Sequence, residues 1–421
     1  MSRFGNLFQE KIAKKNLKET DEVVFIGMQD VDENATIKNT TKLSYCNVKS
    51  GFTYFEKNDV LVAKITPCFE NGKGGFADKI PTQIGFGSTE FHILRAKSEV
   101  DPRYVYFQTK RPRFRNELEG EMVGSAGHRR VPFSSIQKFE LEVDHTFEEQ
   151  AAIADALTDV DAVITALEKL IVKKRAIKAA TMQQLLTGKK RLPPFDKSHT
   201  SYKQTELGEI PEDWDITELS KFVGSLDAGI SVNSVDDKAA FGHGKAVLKT
   251  SCISGGYFYS DEAKGIVPED LARAKLSPKK GNIIISRMNT PDLVGEIGYV
   301  AQDHENLFLP DRLWQTKYRS NENVCGRWLA FTLSYPDIAK QIKESATGTS
   351  NSMKNISKIS LLATLLPAPS FDEQEAIAGV LSDIDNDIDS LNKRLIKTQK
   401  LKQGMMQELL TGKTRLVAGE V

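Results

Sequence analysis

The strongest constraint in this chain is a duplication. The stretch FEEQAAIADALTDVDAVITALEKL begins at Phe147, FDEQEAIAGVLSDIDNDIDSLNKR begins at Phe371, and 371 minus 147 gives a shift of 224. Without a gap, the shift sets Gln150 on Gln374, Ile153 on Ile377, Asp159 on Asp383, and Leu185-Leu186-Thr187-Gly188-Lys189 on Leu409-Leu410-Thr411-Gly412-Lys413. A chain of two copies of one unit does something twice.

Each copy reads as one long helix. Ile153, Leu157, Val160, Ile164, Leu167 and Ile171 follow a 4-3-4-3-4 spacing, and Ile377, Leu381, Ile384, Ile388, Leu391 and Leu395 repeat it. That pattern is an a/d seam that buries a stripe against a partner helix. Thr146 with Glu149 and Ser370 with Glu373 form capping boxes, and Gly188 and Gly412 are the expected stops. About 40 residues of helix span roughly 60 Å, the length of a spacer. The first half of each copy is acidic (Glu148, Glu149, Asp155, Asp159; Asp372, Glu373, Asp383, Asp385) and the second half basic (Lys169, Lys173, Lys174, Arg175; Lys393, Arg394, Lys397, Lys400). Antiparallel pairing sets acid beside base, so the two helices are expected to run head to tail. The alternative is that each helix simply follows its own dipole and packs on its own domain.

These features predict a mixed α/β (α+β) chain: two similar recognition domains separated by a pair of long antiparallel coiled-coil helices, with a pseudo-two-fold internal repeat. The expected layout is a first domain over 1–146, a central spacer helix over 147–190, a linker over 191–212, a second domain over 213–369, a C-terminal spacer helix over 370–412 and a tail over 413–421. Within the first domain EVVFIGMQDV, DVLVAKI, GFGSTEFHIL and FELEV read as strands, and Pro102 to Glu121 as helix.

Composition excludes several classes. The 421 residues carry 57 Lys and Arg against 57 Asp and Glu, which argues against holding nucleic acid by bulk charge. A local basic patch is still expected from Arg103, Lys110, Arg111, Arg113, Arg115, Arg129 and Arg130, with a solvated helix face as the other reading. No stretch resembles a membrane span or a signal peptide, so the expected location is the cytoplasm. Cys46, Cys68, Cys252 and Cys325 lack metal-site spacing and are expected to be buried small hydrophobes.

Catalytic motifs fail on inspection, and no catalytic or metal-binding residue is expected. Leu192-Pro193-Pro194-Phe195 lacks the amide or carboxylate of a methyltransferase tetrad. Gly412-Lys413-Thr414 lacks the earlier glycine of a phosphate loop. Pro291-Asp292 with Glu296 lacks the nuclease lysine. Two loops do carry recognition chemistry, at equivalent places just before the last strand of each domain. They are Gly124-Ser125-Ala126-Gly127-His128-Arg129-Arg130 and Gly348-Thr349-Ser350-Asn351-Ser352-Met353-Lys354-Asn355. Glycine lets backbone approach phosphate, Ser and Thr donate to phosphate oxygens, and Arg, Lys and Asn read purine edges. Lys64 and Arg287, each ending an apolar strand, and Asn289 join the candidate DNA-binding set, as do Arg111 and Arg113; a mobile surface loop is the bland alternative.

The paired Phe-x-Glu-Gln helix starts, the Leu-Leu-Thr-Gly-Lys endings, the phrase Leu207-Gly208-Glu209-Ile210-Pro211-Glu212-Asp213-Trp214 and the Gly348-Thr349-Ser350 to Lys354-Asn355-Ile356-Ser357 loop resemble the DNA-specificity subunit of type I restriction-modification systems. The resemblance covers nearly the whole chain. It implies a non-catalytic subunit whose two target-recognition domains each dock on half of a bipartite double-stranded DNA site, while the helices set the gap. It also implies two modification (methyltransferase) subunits, which bring S-adenosylmethionine, and restriction subunits that use ATP and Mg. Two other classes stand beside it: a stand-alone architectural DNA-binding protein, and a self-contained nucleic-acid enzyme, which would need a cofactor loop or carboxylate cluster that the sequence does not display.

Overall fold

The computed structural model describes every residue except 1, 126, 198–200, 243, 349–352 and 417–421. Two compact units emerge, one of residues 1–169 with 392–421, the other of 170–391. Each therefore takes half of each long helix.

The helices are unbroken over Phe147–Leu186 and Phe371–Leu410. Their starts show the expected boxes: Thr146 N donates to Glu149 Oε2 at 3.0 Å while Glu149 N donates to Thr146 Oγ1 at 3.3 Å, and Glu373 N donates to Ser370 Oγ at 3.4 Å. Both stop at a glycine with positive φ, 68° at Gly188 and 70° at Gly412, where a side chain would be strained. The seam residues are all buried or half-buried, Leu157 and Leu381 completely.

Cross-helix ion pairs fix the direction inside each unit. In the first, Asp161 meets Lys402 and Glu149 meets Arg415. In the second, Lys174 meets Asp387, Lys178 meets Asp385 and Arg191 meets Glu373. Partner numbers fall as residue numbers rise, so the halves run antiparallel, as the charge pattern predicts. The pairs are also reciprocal under the 224 shift, since Asp161–Lys402 maps onto Asp385–Lys178 and Glu149–Arg415 onto Glu373–Arg191.

The same shift explains the repeated glutamine. Gln150 Nε2 donates to His145 O and its Oε1 accepts from Asp101 N, while Gln374 Nε2 donates to Pro369 O and its Oε1 accepts from Cys325 N. Each glutamine thus staples a long-helix start to the start of a shorter helix.

The first unit holds a four-stranded sheet in the order Thr41–Ser44, Glu22–Ile26, Ile84–Gly87, Thr53–Glu56, with its middle pair parallel, and a three-stranded antiparallel sheet of Gly74–Phe76, Val60–Ala63 and Phe91–Leu94. The second holds a six-stranded sheet centred on Ile283–Ser286 and Ile297–Tyr299, and a four-stranded one. Their cores enclose the helix ends: Leu409 and Leu410 lie with Phe4, Phe114 and Leu157, and Leu185 and Leu186 with Trp214, Trp328 and Leu381.

The stretch from Pro102 to Glu121 is helical as expected, in two helices, Pro102–Thr109 and Pro112–Gly120, because Pro112 lacks the N–H that would continue the first. Two expectations need correction. Residues read as linker contain a hairpin, Tyr202–Thr205 with Gly208–Pro211. Of the cysteines only Cys252 is buried, and Cys46 is exposed. No helix among the described residues is long and apolar enough to cross a membrane.

Candidate nucleic-acid interface

The two loops are hairpins built alike. Val123 and Arg130 exchange both backbone hydrogen bonds at 3.0 and 2.9 Å, and Thr347 and Asn355 do so at 2.9 Å each. Gly124 and Gly348 open them with φ of 132° and 147°. A Cβ at Gly124 would stand 2.7 Å from His128 O, and one at Gly348 2.8 Å from Met353 O, so both positions exclude a side chain. Each hairpin is tied to the strand that precedes it in the candidate set: Val131 N donates to Lys64 O, and Ile356 N to Arg287 O.

In the first unit, Lys64, Arg129 and Arg130 come together with carboxylates that sequence reasoning missed. Arg130 grips Glu90 with Nε at 2.9 Å and Nη2 at 2.8 Å, and this holds the Glu90 carboxyl below its ordinary value. Arg129 Nη2 lies 3.4 Å from Glu70 Oε1, which also accepts from Thr66 Oγ1 at 2.7 Å, while Glu70 Oε2 is buried without a partner. Ser125 and His128 are exposed at the tip. Both arginines therefore arrive pre-paired, oriented but half-neutralised.

The second unit mounts different chemistry on the same frame. The Arg287 guanidinium lies 5.6 Å from the Trp314 ring centre, and Lys358 Nζ, 5.9 Å from it, also donates to Leu226 O at 2.6 Å. Trp314 occupies the position that the 224 shift assigns to Glu90. Arg287 Nε, Trp314 Nε1 and Asn355 Oδ1 are buried without partners, two donors and an acceptor beside one hairpin. Asn289 donates to Ser286 Oγ at 3.3 Å, and Met288–Asn289 pairs with Lys354–Asn355. Lys354 folds back on Gly348 O at 2.9 Å. Thr349, Ser350 and Asn351 lie outside the described residues.

The expected basic patch dissolves. Arg111 is 5% exposed, its guanidinium engaged by Glu142 and Gln108. Arg113 pairs with Glu142 and Glu117 and lies 5.1 Å from the Phe139 ring centre. Arg115 is buried without a carboxylate, its pKa pushed down to about 10 by burial, and donates to Phe69 O and Gly72 O. It is a strut for the turn that carries Glu70. Arg103 is taken by Asp101 and Asp155. A tryptophan at a position where the first copy has a glutamate was the one visible trace of the Trp314 site; the ion pairs join residues too far apart in sequence to leave any.

Residues 3–178 and 242–400 match the family model described as the type I restriction modification DNA specificity domain. The specificity subunit of the type I restriction enzyme EcoEI from Escherichia coli is 22% identical over 432 residues, covering 84% of this chain and 72% of its own length. That of MjaVIII from Methanocaldococcus jannaschii is 30% identical over 274 residues, covering 64% of this chain and 61% of its own. Among solved structures, the S subunit of a type I restriction-modification system from M. genitalium aligns over 97% of this chain and 94% of its own, with a TM-score of 0.56 at 17% identity. That likeness concerns the fold.

Proposed function

Because this chain belongs to the type I restriction-modification DNA-specificity family, we propose that each of its units reads one half of an asymmetric, bipartite site on double-stranded DNA. The observation that carries the reading is the pair of equivalent loops, alike in their closing backbone pair and opening glycine and unlike in side chains. A shared frame fixes how a reader approaches a groove, and the mounted groups decide which bases it accepts. Arg129 and Arg130, oriented by Glu70 and Glu90, would serve one half-site; Arg287, Asn289, Lys354 and Asn355, beside Trp314, would serve the other. Lys64, Ser125, His128, Thr349, Ser350 and Asn351 would supply phosphate or base contacts nearby.

The long helices would set the gap between half-sites and offer two related surfaces to two modification subunits. The reaction would be theirs, with S-adenosylmethionine bound on them and ATP and Mg on restriction subunits, while this chain supplies address and no chemistry. Footprinting the assembled methyltransferase tests the reading. Two short protected blocks around an indifferent gap are expected, and one uninterrupted block would overturn it. Alanine at Arg129 and Arg130 together should weaken one block only.

A further inference from the structure

The first unit carries an open groove of about 1460 Å³ whose wall includes Phe76, Tyr106, Lys110, Asp161 and Lys402. Two ammonium groups line it, and one of them, Lys402, has a carboxylate in ion-pair contact. Lys402 Nζ lies 2.5 Å from Asp161 Oδ1 and 5.6 Å from the centre of the Phe107 ring. Lys110 Nζ donates to the Tyr106 hydroxyl at 3.0 Å and sits 4.9 Å from that ring's centre. Among the described residues no carboxylate lies within ion-pair distance of it. The Tyr106 hydroxyl passes its own proton to Ala35 O at 3.2 Å, so it offers Lys110 one lone pair and nothing more. Burial holds both amines below lysine's ordinary value, and for Lys402 the neighbouring Lys110 adds to the effect.

The other unit shows the same corner closed. Under the 224 shift Lys402, Asp161 and Phe107 become Lys178, Asp385 and Phe331, but Tyr106 and Lys110 become Ala330 and Ser334. These small residues admit a strand, Gly256–Phe258, so close that a Cβ on Gly256 would stand 2.6 Å from Ser334 Oγ. The strand delivers the Tyr257 hydroxyl to Asp385 Oδ1 at 2.5 Å and within 2.5 Å of Lys178 Nζ, and Arg327 completes the cluster at 2.8 Å. One copy fills the corner with its own chain. The other leaves a groove and a buried ammonium with no carboxylate in ion-pair contact among the described residues, an arrangement that burial makes costly.

We propose that the groove of the first unit is an anion site, in which Lys110 and Lys402 hold a carboxylate or phosphate head. Lys110, which feels Asp161 and Asp32 only from beyond ion-pair contact, matches a singly charged head, and its remaining donors match the head's oxygens. The site is independent of DNA reading and stands or falls on its own test.

The test uses the full chain at fixed ionic strength, with inorganic phosphate and acetate titrated separately against chloride. At ten times the dissociation constant either anion should raise the thermal midpoint of the first unit by about 4 °C. A rise with only one of them assigns the head. The rise should vanish in Lys110→Met, which keeps the stem on Tyr106, and persist in Lys57→Met, on the exposed surface. Should Lys110→Met fold poorly, acylation of lysines in the unaltered protein, read residue by residue, serves instead: the effective anion should slow labelling of Lys110 and Lys402 severalfold and leave Lys57 alone. No rise with either anion, a rise that survives Lys110→Met, or labelling of Lys110 that ignores the anion would overturn the proposal.

Discussion

Twin residues separate chemistry from context. Glu373 is 1% exposed, gripped at both oxygens by Arg191 and touched by Trp214 Nε1 at 3.0 Å, whereas its twin Glu149 meets an Arg415 that is 54% exposed. Removing one partner of a buried, hydrogen-bonded pair costs about 3 to 5 kcal/mol, and an exposed pair is worth at most about 1 kcal/mol. Glu373→Ala should therefore loosen the second unit strongly and Glu149→Ala barely affect the first, as read by hydrogen exchange unit by unit. Acid acts on a third carboxylate. Burial pushes Glu142 up, but Arg111 and Arg113 outweigh it and hold the group at about 2, against an ordinary value of 4.5. A carboxylate depressed in the folded state contributes stability that is fully present above its unfolded value and is lost as pH falls through the folded one. The first unit should thus weaken between about pH 4.5 and pH 2, and Glu142→Gln should flatten that part of its thermal-midpoint profile.

Elements show what the sequence made legible. The long helices, their boxes, their glycine stops and their direction were readable because each rests on local, periodic signals: a seam at Ile153, Leu157 and Val160, an acidic half, a basic half. Direction has a direct check. Asp161→Lys should set three amines together and destabilise the first unit, and adding Lys402→Asp should restore most of its thermal midpoint. Failure of the second change to rescue the first would break the antiparallel assignment. The hairpins were legible as places, through glycine, but their partners were not. Nothing near Arg130 announces Glu90, and nothing near Arg111 announces that Glu142, 31 residues away, will bury it. Basic residues were over-read as surface for that reason: a charge count carries no information about which cations the fold has already spent.

At the scale of the whole molecule, equal numbers of acidic and basic residues leave no general attraction for DNA, so binding should depend on few contacts. In the assembled complex each cation that touches phosphate should contribute about 0.9 to the slope of log affinity against log salt. Lys354→Ala is expected to lower that slope by about 1 for all sequences. Arg130→Ala is expected to change sequence preference at one half-site with little change in slope, because its charge is already matched by Glu90. Equal slopes lost at both residues would make the first hairpin a phosphate clamp.

The reciprocity of the cross-helix pairs reaches beyond one chain. Asp161 answers Lys402 and Lys178 answers Asp385, so a single long helix carries both halves of a lock that also fits its own copy. During synthesis the first helix emerges 224 residues before its mate. Throughout that interval the same helix of a second nascent chain would carry the same complementary residues, and pairing of that kind would compete with the finished fold.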